Sequence, residues 1–347
     1  GAGKKAGYAD KDYISAGAKI LSKEDVFRRA DIIVKVKEPI PEEYPFLELF
    51  KGKTLYTFLH LAAAEKELTL ELLKNKITGI AYETVTDKNN RLPLLAPMSE
   101  IAGVLSIQYG AQYLQKKYNG RGITLGKITG TPSAHVVVVG GGTAGAKAAM
   151  TAAGMGSSVT LLELSDRKID ELKKCFESHD NVNIVKSTPQ HVKAAVETAD
   201  LLVGAVLVPG GRAPVVVTEE MVISMRKGAV MVDIAIDQGG CIWGSKPTSH
   251  DCPIYEIHGK IYCCITNMPG QVAHQSTEAL TCATIKYLVK MADCGVVELI
   301  KLDKHFRCGV NTMDGRLTNE SVAGALELEY APIDEVLSEM GDARENT

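Results

Sequence analysis

His135-Val136-Val137-Val138-Val139-Gly140-Gly141-Gly142-Thr143-Ala144-Gly145 joins an unbroken apolar run to a glycine-rich turn. Four consecutive valines read as a strand buried on both faces. Gly140 to Gly145 fits G-x-G-x-x-G, and the small-residue segment Ala146–Ala153 continues it as a helix. In this context Gly140 permits the tight turn, Gly142 lets backbone approach a pyrophosphate, and Gly145 lets helix and strand pack closely. The helix N-terminus then presents free N–H groups to phosphate oxygens. The next strand, Ser158–Glu163, ends in an acid 18 residues beyond Gly145. A carboxylate at that place accepts hydrogen bonds from the adenosine ribose and repels a 2′-phosphate, which selects NAD over NADP.

Outward from this motif the alternation persists. Towards the C-terminus, helix Asp166–Phe176, strand Asn183–Val185, helix Gln190–Thr198 and strand Asp200–Val206 follow. Helix Glu219–Met225 and strands Ala229–Ile236 and Lys260–Thr266 complete the pattern. This is the rhythm of a doubly wound, Rossmann-type dinucleotide domain. Towards the N-terminus, strands are expected at Ala16–Ile20, Asp31–Lys37, Thr54–His60 and Gly79–Glu83, with helices at Lys23–Arg29 and Ala62–Lys76. That rhythm argues for a second, mostly parallel sheet flanked by helices. A helix over Met98–Lys117, broken by Gly120-Arg121-Gly122, bridges the two domains. Ser276–Ala292 leads the chain back, and Leu317–Glu339 reads as an amphipathic helical tail. The α/β chain therefore divides into residues 1–98 with 275–347 as a substrate-binding domain, and 99–274 as the NAD-binding domain.

Bulk properties narrow the class. At 347 residues the chain is long enough for two cores. A formal net charge of −3 gives no electrostatic reason to expect nucleic acid or a membrane surface as a partner. No apolar run approaches the roughly 18 residues that span a bilayer. Eight cysteines include no CxxC pair and several lie in apolar stretches, so free thiols in a reducing compartment are expected. The histidines are scattered, and no metal site is expected. The chain opens Gly1-Ala2-Gly3 without methionine, so a preceding segment is expected.

Three residues occupy strand ends, beyond which parallel sheets bind ligands. Lys37 ends one strand and His60 another, both in the first domain; Asp237 follows strand Ala229–Ile236 and precedes Gln238-Gly239-Gly240. A lysine and a histidine so placed suit an anionic substrate. By themselves these residues also read as a solvated strand end, a satisfied structural histidine and turn chemistry.

Around them the sequence resembles the alanine dehydrogenase family. Val36-Lys37-Glu38-Pro39, Phe58-Leu59-His60-Leu61-Ala62-Ala63, Ala81-Tyr82-Glu83-Thr84-Val85 and Leu94-Leu95-Ala96-Pro97-Met98-Ser99-Glu100 carry the likeness. So do Ala205-Val206-Leu207-Val208-Pro209-Gly210, Asp233-Ile234-Ala235-Ile236-Asp237-Gln238-Gly239-Gly240 and Asn267-Met268-Pro269. The resemblance implies NAD-dependent interconversion of L-alanine with pyruvate and ammonia in a cytoplasmic homohexamer. It implies that Lys37 binds substrate, His60 is catalytic and Asp237 is the active-site aspartate. Met98 and Asn267 fall by the substrate, with Phe58 shaping its pocket. Ser99, Gly140, Gly142, Thr143, Ala144, Gly145, Glu163, Lys168, Ser187, Val206, Leu207, Ile234, Asp237, Asn267 and Met268 fall along the cofactor groove.

Two departures stand out. The family's carboxylate-binding arginine belongs to an N-terminal strand and turn that would precede Gly1. A Val-Pro step is expected where Val272-Ala273 stands. The competing readings are the NAD-binding component of a proton-translocating transhydrogenase and a non-catalytic NAD-binding protein. The former has no need of an ammonia-handling histidine, and retention of Lys37, His60 and Asp237 argues against the latter.

Overall fold

A computed structural model of the chain describes residues 1–208 and 211–345. Pro209 and Gly210, part of one motif quoted above, and Asn346 and Thr347, in the expected 275–347 segment, lie outside the described residues. Gly1–Pro97 with Ala273–Thr347 forms one compact unit, and Met98–Val208 with Ala213–Val272 a second. Among the described residues the strands run, in chain order, β1 (Ile32–Val34), β2 (Thr54–Thr57), β3 (Thr78–Ala81), β4 (His135–Val139), β5 (Ser158–Glu163) and β6 (Val182–Lys186). Then come β7 (Leu201–Gly204), β8 (Val230–Asp233), β9 (Ile254–Ile257), β10 (Lys260–Cys263), β11 (Val310–Met313) and β12 (Arg316–Leu317).

The second unit holds a seven-stranded sheet ordered β6-β5-β4-β7-β8-β10-β9, parallel except for the edge pair β10–β9. Val136 to Val139 are buried, as a strand covered by helices on both faces requires. One face packs on the small-residue helix Thr143–Gly154, through Ala148, Ala149 and Ala152. Strand order reverses between β5-β4 and β7, which places the sheet's ligand-binding crevice at the carboxyl ends of β4 and β7. The edge strand β9 escapes a reading by alternation because Ile254, Tyr255 and Ile257 are all only half-buried.

In the first unit the sheet is mixed, ordered β1-β2-β3-β11-β12, with the first three strands parallel and the last two antiparallel. Its core gathers Phe27, Ile33, Leu47, Phe50, Leu55, Leu59, Leu68 and Leu72.

Several expectations need correction. No strand forms over Ala16–Ile20: the helix Asp10–Ser15 unwinds there through Gly17 (φ +89°), and Ala18 N–H returns to Tyr13 O at 2.9 Å. Ile20 is left exposed, with no sheet to bury it. The expected helical tail is instead β12 and two helices, Glu320–Leu326 and Ile333–Glu345, separated at Glu327, which is left-handed (φ +52°). Strands also end earlier than their apolar runs. β8 stops at Asp233, whose side chain takes Ala235 N–H and starts a 3-10 turn over Ile234–Gln238. The helix expected over Met98–Lys117 spans Ala96–Tyr113. No helix among the described residues is long and apolar enough to cross a membrane.

Candidate active site

In the second unit the glycine loop has the geometry its spacing implies. Gly140 is left-handed (φ +104°), and a Cβ there would lie 2.5 Å from Ala205 O, so β4 and β7 approach backbone to backbone at the switch point. At Gly145 a Cβ would lie 1.8 Å from Gly140 O, so only glycine lets this helix start against its own strand. Around Gly142, by contrast, the space a Cβ would take is open for 4 Å. Gly142 is also the N-cap of the 12-residue helix Thr143–Gly154 and offers no side-chain cap. First-turn N–H groups of a helix lack intrahelical partners. Open space in front of them fits a pyrophosphate, which would take those donors.

Glu163 is 7% exposed at the end of β5 and holds this loop as well as facing it. Its Oε2 accepts Gly141 N–H at 2.9 Å and its Oε1 accepts Ser165 N–H at 2.8 Å. Each carboxylate oxygen retains a second lone pair, which a ribose hydroxyl can use. Ser187 lies beside it, its N–H donating to Glu163 O at 2.8 Å. Lys168 is exposed on the first turn of the helix Asp166–Cys175. Val206 is half-buried and Leu207 exposed just beyond β7. Ser99 and Met98 are half-buried in the helix Ala96–Tyr113. That helix packs on the glycine-loop helix where a Cβ at Gly103 would meet Ala144 O at 2.4 Å, and Glu100 pairs with Lys147 at 3.2 Å. The fold thus brings Thr143, Ala144, Glu163 and Ser187 to the carboxyl ends of β4, β5 and β6.

Asp237 belongs to the same unit and sits half-buried in the 3-10 turn after β8, not at a strand end. Its Oδ2 accepts Asn267 N–H at 3.2 Å. Asn267 is left-handed (φ +49°), a conformation asparagine tolerates better than most residues. Met268 is 2% exposed, with its side chain in the buried core cluster of this unit. Ile234 is half-buried at the start of the turn.

In the first unit, β1 ends at Val34 and β2 at Thr57, yet backbone pairing runs on. Lys35 N–H donates to Tyr56 O at 3.1 Å and Phe58 N–H to Val36 O at 3.3 Å. Lys37 and His60 therefore both lie just past the carboxyl ends of adjacent parallel strands. Lys37 is half-buried, in a loop tied down by Glu43, which pairs with Lys35 and accepts Ile40 N–H at 3.2 Å. His60 is left-handed (φ +47°), which costs free energy for a residue with a Cβ.

What holds that turn is Glu83, a residue given no role in the sequence reading. It lies in the 3-10 turn Tyr82–Thr84 after β3 and is 3% exposed. Its Oε1 accepts His60 N–H at 2.6 Å, and both oxygens accept Leu59 N–H, at 3.2 and 3.3 Å. His60 Nδ1 lies 3.9 Å from the same Oε1, and Phe58 stacks on the imidazole with ring centroids 5.5 Å apart. The available signal was a glutamate at the end of a buried apolar strand, where a charge needs a partner.

The chain also matches known proteins in sequence and in fold. Residues 1–102 match the family model described as the alanine dehydrogenase/PNT N-terminal domain, and 106–320 its C-terminal domain. An alanine dehydrogenase from Methanococcus maripaludis is 47% identical over 342 residues, 98% of this chain and 90% of that protein. A solved L-alanine dehydrogenase structure superposes with a TM-score of 0.83 at 43% identity, covering 93% of this chain and 88% of that one. A transhydrogenase structure from Sinorhizobium meliloti reaches a TM-score of 0.74 at 21% identity, covering 92% and 89%, a likeness of fold alone.

Proposed function

The chain belongs to the alanine dehydrogenase/PNT family, and from that membership we propose the residue roles of an NAD-dependent amino-acid dehydrogenase. The reaction is oxidative deamination of L-alanine to pyruvate and ammonia, with reductive amination as its reverse. In this reading residues 99–274 form the NAD-binding domain, and residues 1–98 with 275–347 bind substrate.

NAD, when bound, accepts the hydride that leaves Cα. Gly142 and the first turn of Thr143–Gly154 hold the pyrophosphate, and Glu163 the adenosine ribose. Ser99, Lys168, Ser187, Val206, Leu207, Ile234, Asn267 and Met268 border the remainder of the dinucleotide. The Lys37 ammonium binds the substrate's carboxylate or its developing carbonyl oxygen, where charge builds up. Loss of hydride from Cα and a proton from nitrogen leaves an imine, to which water must add before ammonia departs. His60 takes the proton from that water and returns one to the departing nitrogen. Its Nδ1 edge lies towards Glu83, so Nε2 is the nitrogen that exchanges the proton. Asp237 orients the amine or water and stabilises positive charge on it.

The observation that carries this reading is the placement of Lys37 and His60 past the ends of adjacent parallel strands, with His60 held in a left-handed turn by Glu83. A homohexamer in the cytoplasm, serving amino-acid catabolism, completes the proposal. All eight cysteines are unpaired, in keeping with a reducing compartment. Reduction of NAD on addition of L-alanine, with pyruvate identified as product, tests the assignment. Turnover with L-alanine that exceeds turnover with glycine or L-serine supports it. Intact NADH binding without turnover on any of the three contradicts it.

A further inference from the structure

We propose that Asp233 is the positioning residue for Asp237, its carboxylate clamping both ends of the turn that presents Asp237. This rests on the reading of Asp237 as an active-site residue. Asp233 is the last residue of β8 and is 0% exposed. On the near side of the turn, its Oδ1 accepts Ala235 N–H at 3.0 Å. On the far side, its Oδ2 accepts Cys241 N–H at 2.8 Å, Ile242 N–H at 3.0 Å and the Ser245 hydroxyl at 2.7 Å. The Cys241 thiol adds a longer contact of 3.5 Å to Oδ1.

One carboxylate thus gathers backbone donors from before and after Asp237. Backbone bonds also close the intervening chain, Gly239 N–H to Ile236 O and Gly240 N–H to Ala235 O, each at 3.0 Å; the carboxylate ties that closed turn to the chain beyond it. Gly240 is left-handed (φ +82°), and a Cβ there would sit 2.9 Å from both Asp233 Oδ2 and Ser245 Cβ, so the backbone passes directly over the clamp. Gly204 supports it from β7: a Cβ there would lie 2.6 Å from Cys241 Sγ and 3.2 Å from Asp233 Oδ1. Burying a carboxyl group is costly, and burial raises the pKa of Asp233 above the usual carboxylate value. An apolar residue would avoid that cost but leave four donors unpaired, releasing the turn. Asp237 rides on that turn and meets Asn267 N–H from there.

Steady-state kinetics on Asp233→Asn, Ser245→Ala, Asp237→Asn and the doubles with Asp237→Asn test the proposal. Asparagine keeps one acceptor oxygen but turns an N–H₂ group towards donors, so the clamp is weakened without a change of shape. Asp233→Asn should lower kcat by about tenfold, with the NADH dissociation constant changing less than about threefold. In the Asp237→Asn background the same substitution should cost less than about twofold, because a residue acting through Asp237 has nothing left to position. An equal loss in both backgrounds, or wild-type kcat in folded Asp233→Asn, overturns it. If Asp233→Asn does not fold, Ser245→Ala gives the same comparison with a several-fold effect, and additivity there is equally contrary. Full kcat in Asp237→Asn alone would instead remove the active-site reading of Asp237, and the proposal with it.

Discussion

The backbone N–H of His60 donates to Glu83 Oε1 across 2.6 Å, while His60 Nδ1 stands 3.9 Å from the same oxygen. One buried carboxylate therefore caps the left-handed backbone of His60 and lies beside the Nδ1 edge of its ring. Glu83→Ala orphans Leu59 and His60 N–H in a dry site and should cost about 1–3 kcal/mol for each unpaired group. Glu83→Gln keeps an acceptor for the turn and should be milder in thermal unfolding, yet still impaired in kcat. Equal kcat in Glu83→Gln and the parent would mean that the charge has no part in the reaction.

Removing the imidazole isolates its chemistry from binding. His60→Ala should lower kcat by about 10²- to 10⁴-fold, the usual worth of a positioned acid–base group. NADH binding should survive, because His60 belongs to the first unit and the glycine loop to the second. Fluorescence titration with NADH beside turnover measurements separates the two effects.

Much of the second unit's fold is legible in the sequence alone. The valine run, the glycine spacing and Glu163 lie in one local stretch, and local rules suffice for them. The Glu83–His60 turn was not legible, since its hydrogen bonds join residues 23 apart in sequence. The clamp on Asp233 escaped for a different reason. Ala229 to Ile236 reads as one apolar strand broken only by that aspartate, and periodicity cannot tell that its carboxylate ends the strand. The antiparallel β11 and β12 were hidden likewise, because Val310–Met313 pairs with β3, over 200 residues upstream.

Glycine at 145 is a steric requirement in the fold. Gly145→Ala drives a methyl group to 1.8 Å from Gly140 O, so the helix must move off its strand. NADH affinity should fall by at least about tenfold, or about 1.4 kcal/mol, with a lower Tm. Unchanged NADH affinity would show that the loop does not hold the dinucleotide.

Acid stability should depend on His135. Its ring sits between Thr198 Oγ1 (3.0 Å) and Thr160 Oγ1 (2.9 Å). Burial pulls its pKa below the usual 6.5, opposed by the Thr198 contact and by Asp200. The folded state thus binds this proton less readily than the unfolded chain. The contribution is fully present above pH 6.5 and is lost as pH falls from there through the lower folded value. His135→Gln should flatten the fall of Tm over that window; an unchanged slope would remove His135 as its source.

NADH consumption with pyruvate and ammonium supplied together, and with each then omitted, tests the assigned reaction most directly. Oxidation of NADH is expected only when both are present, with alanine as the product. Oxidation that proceeds without ammonium, or none at all while NADH still binds, would contradict it.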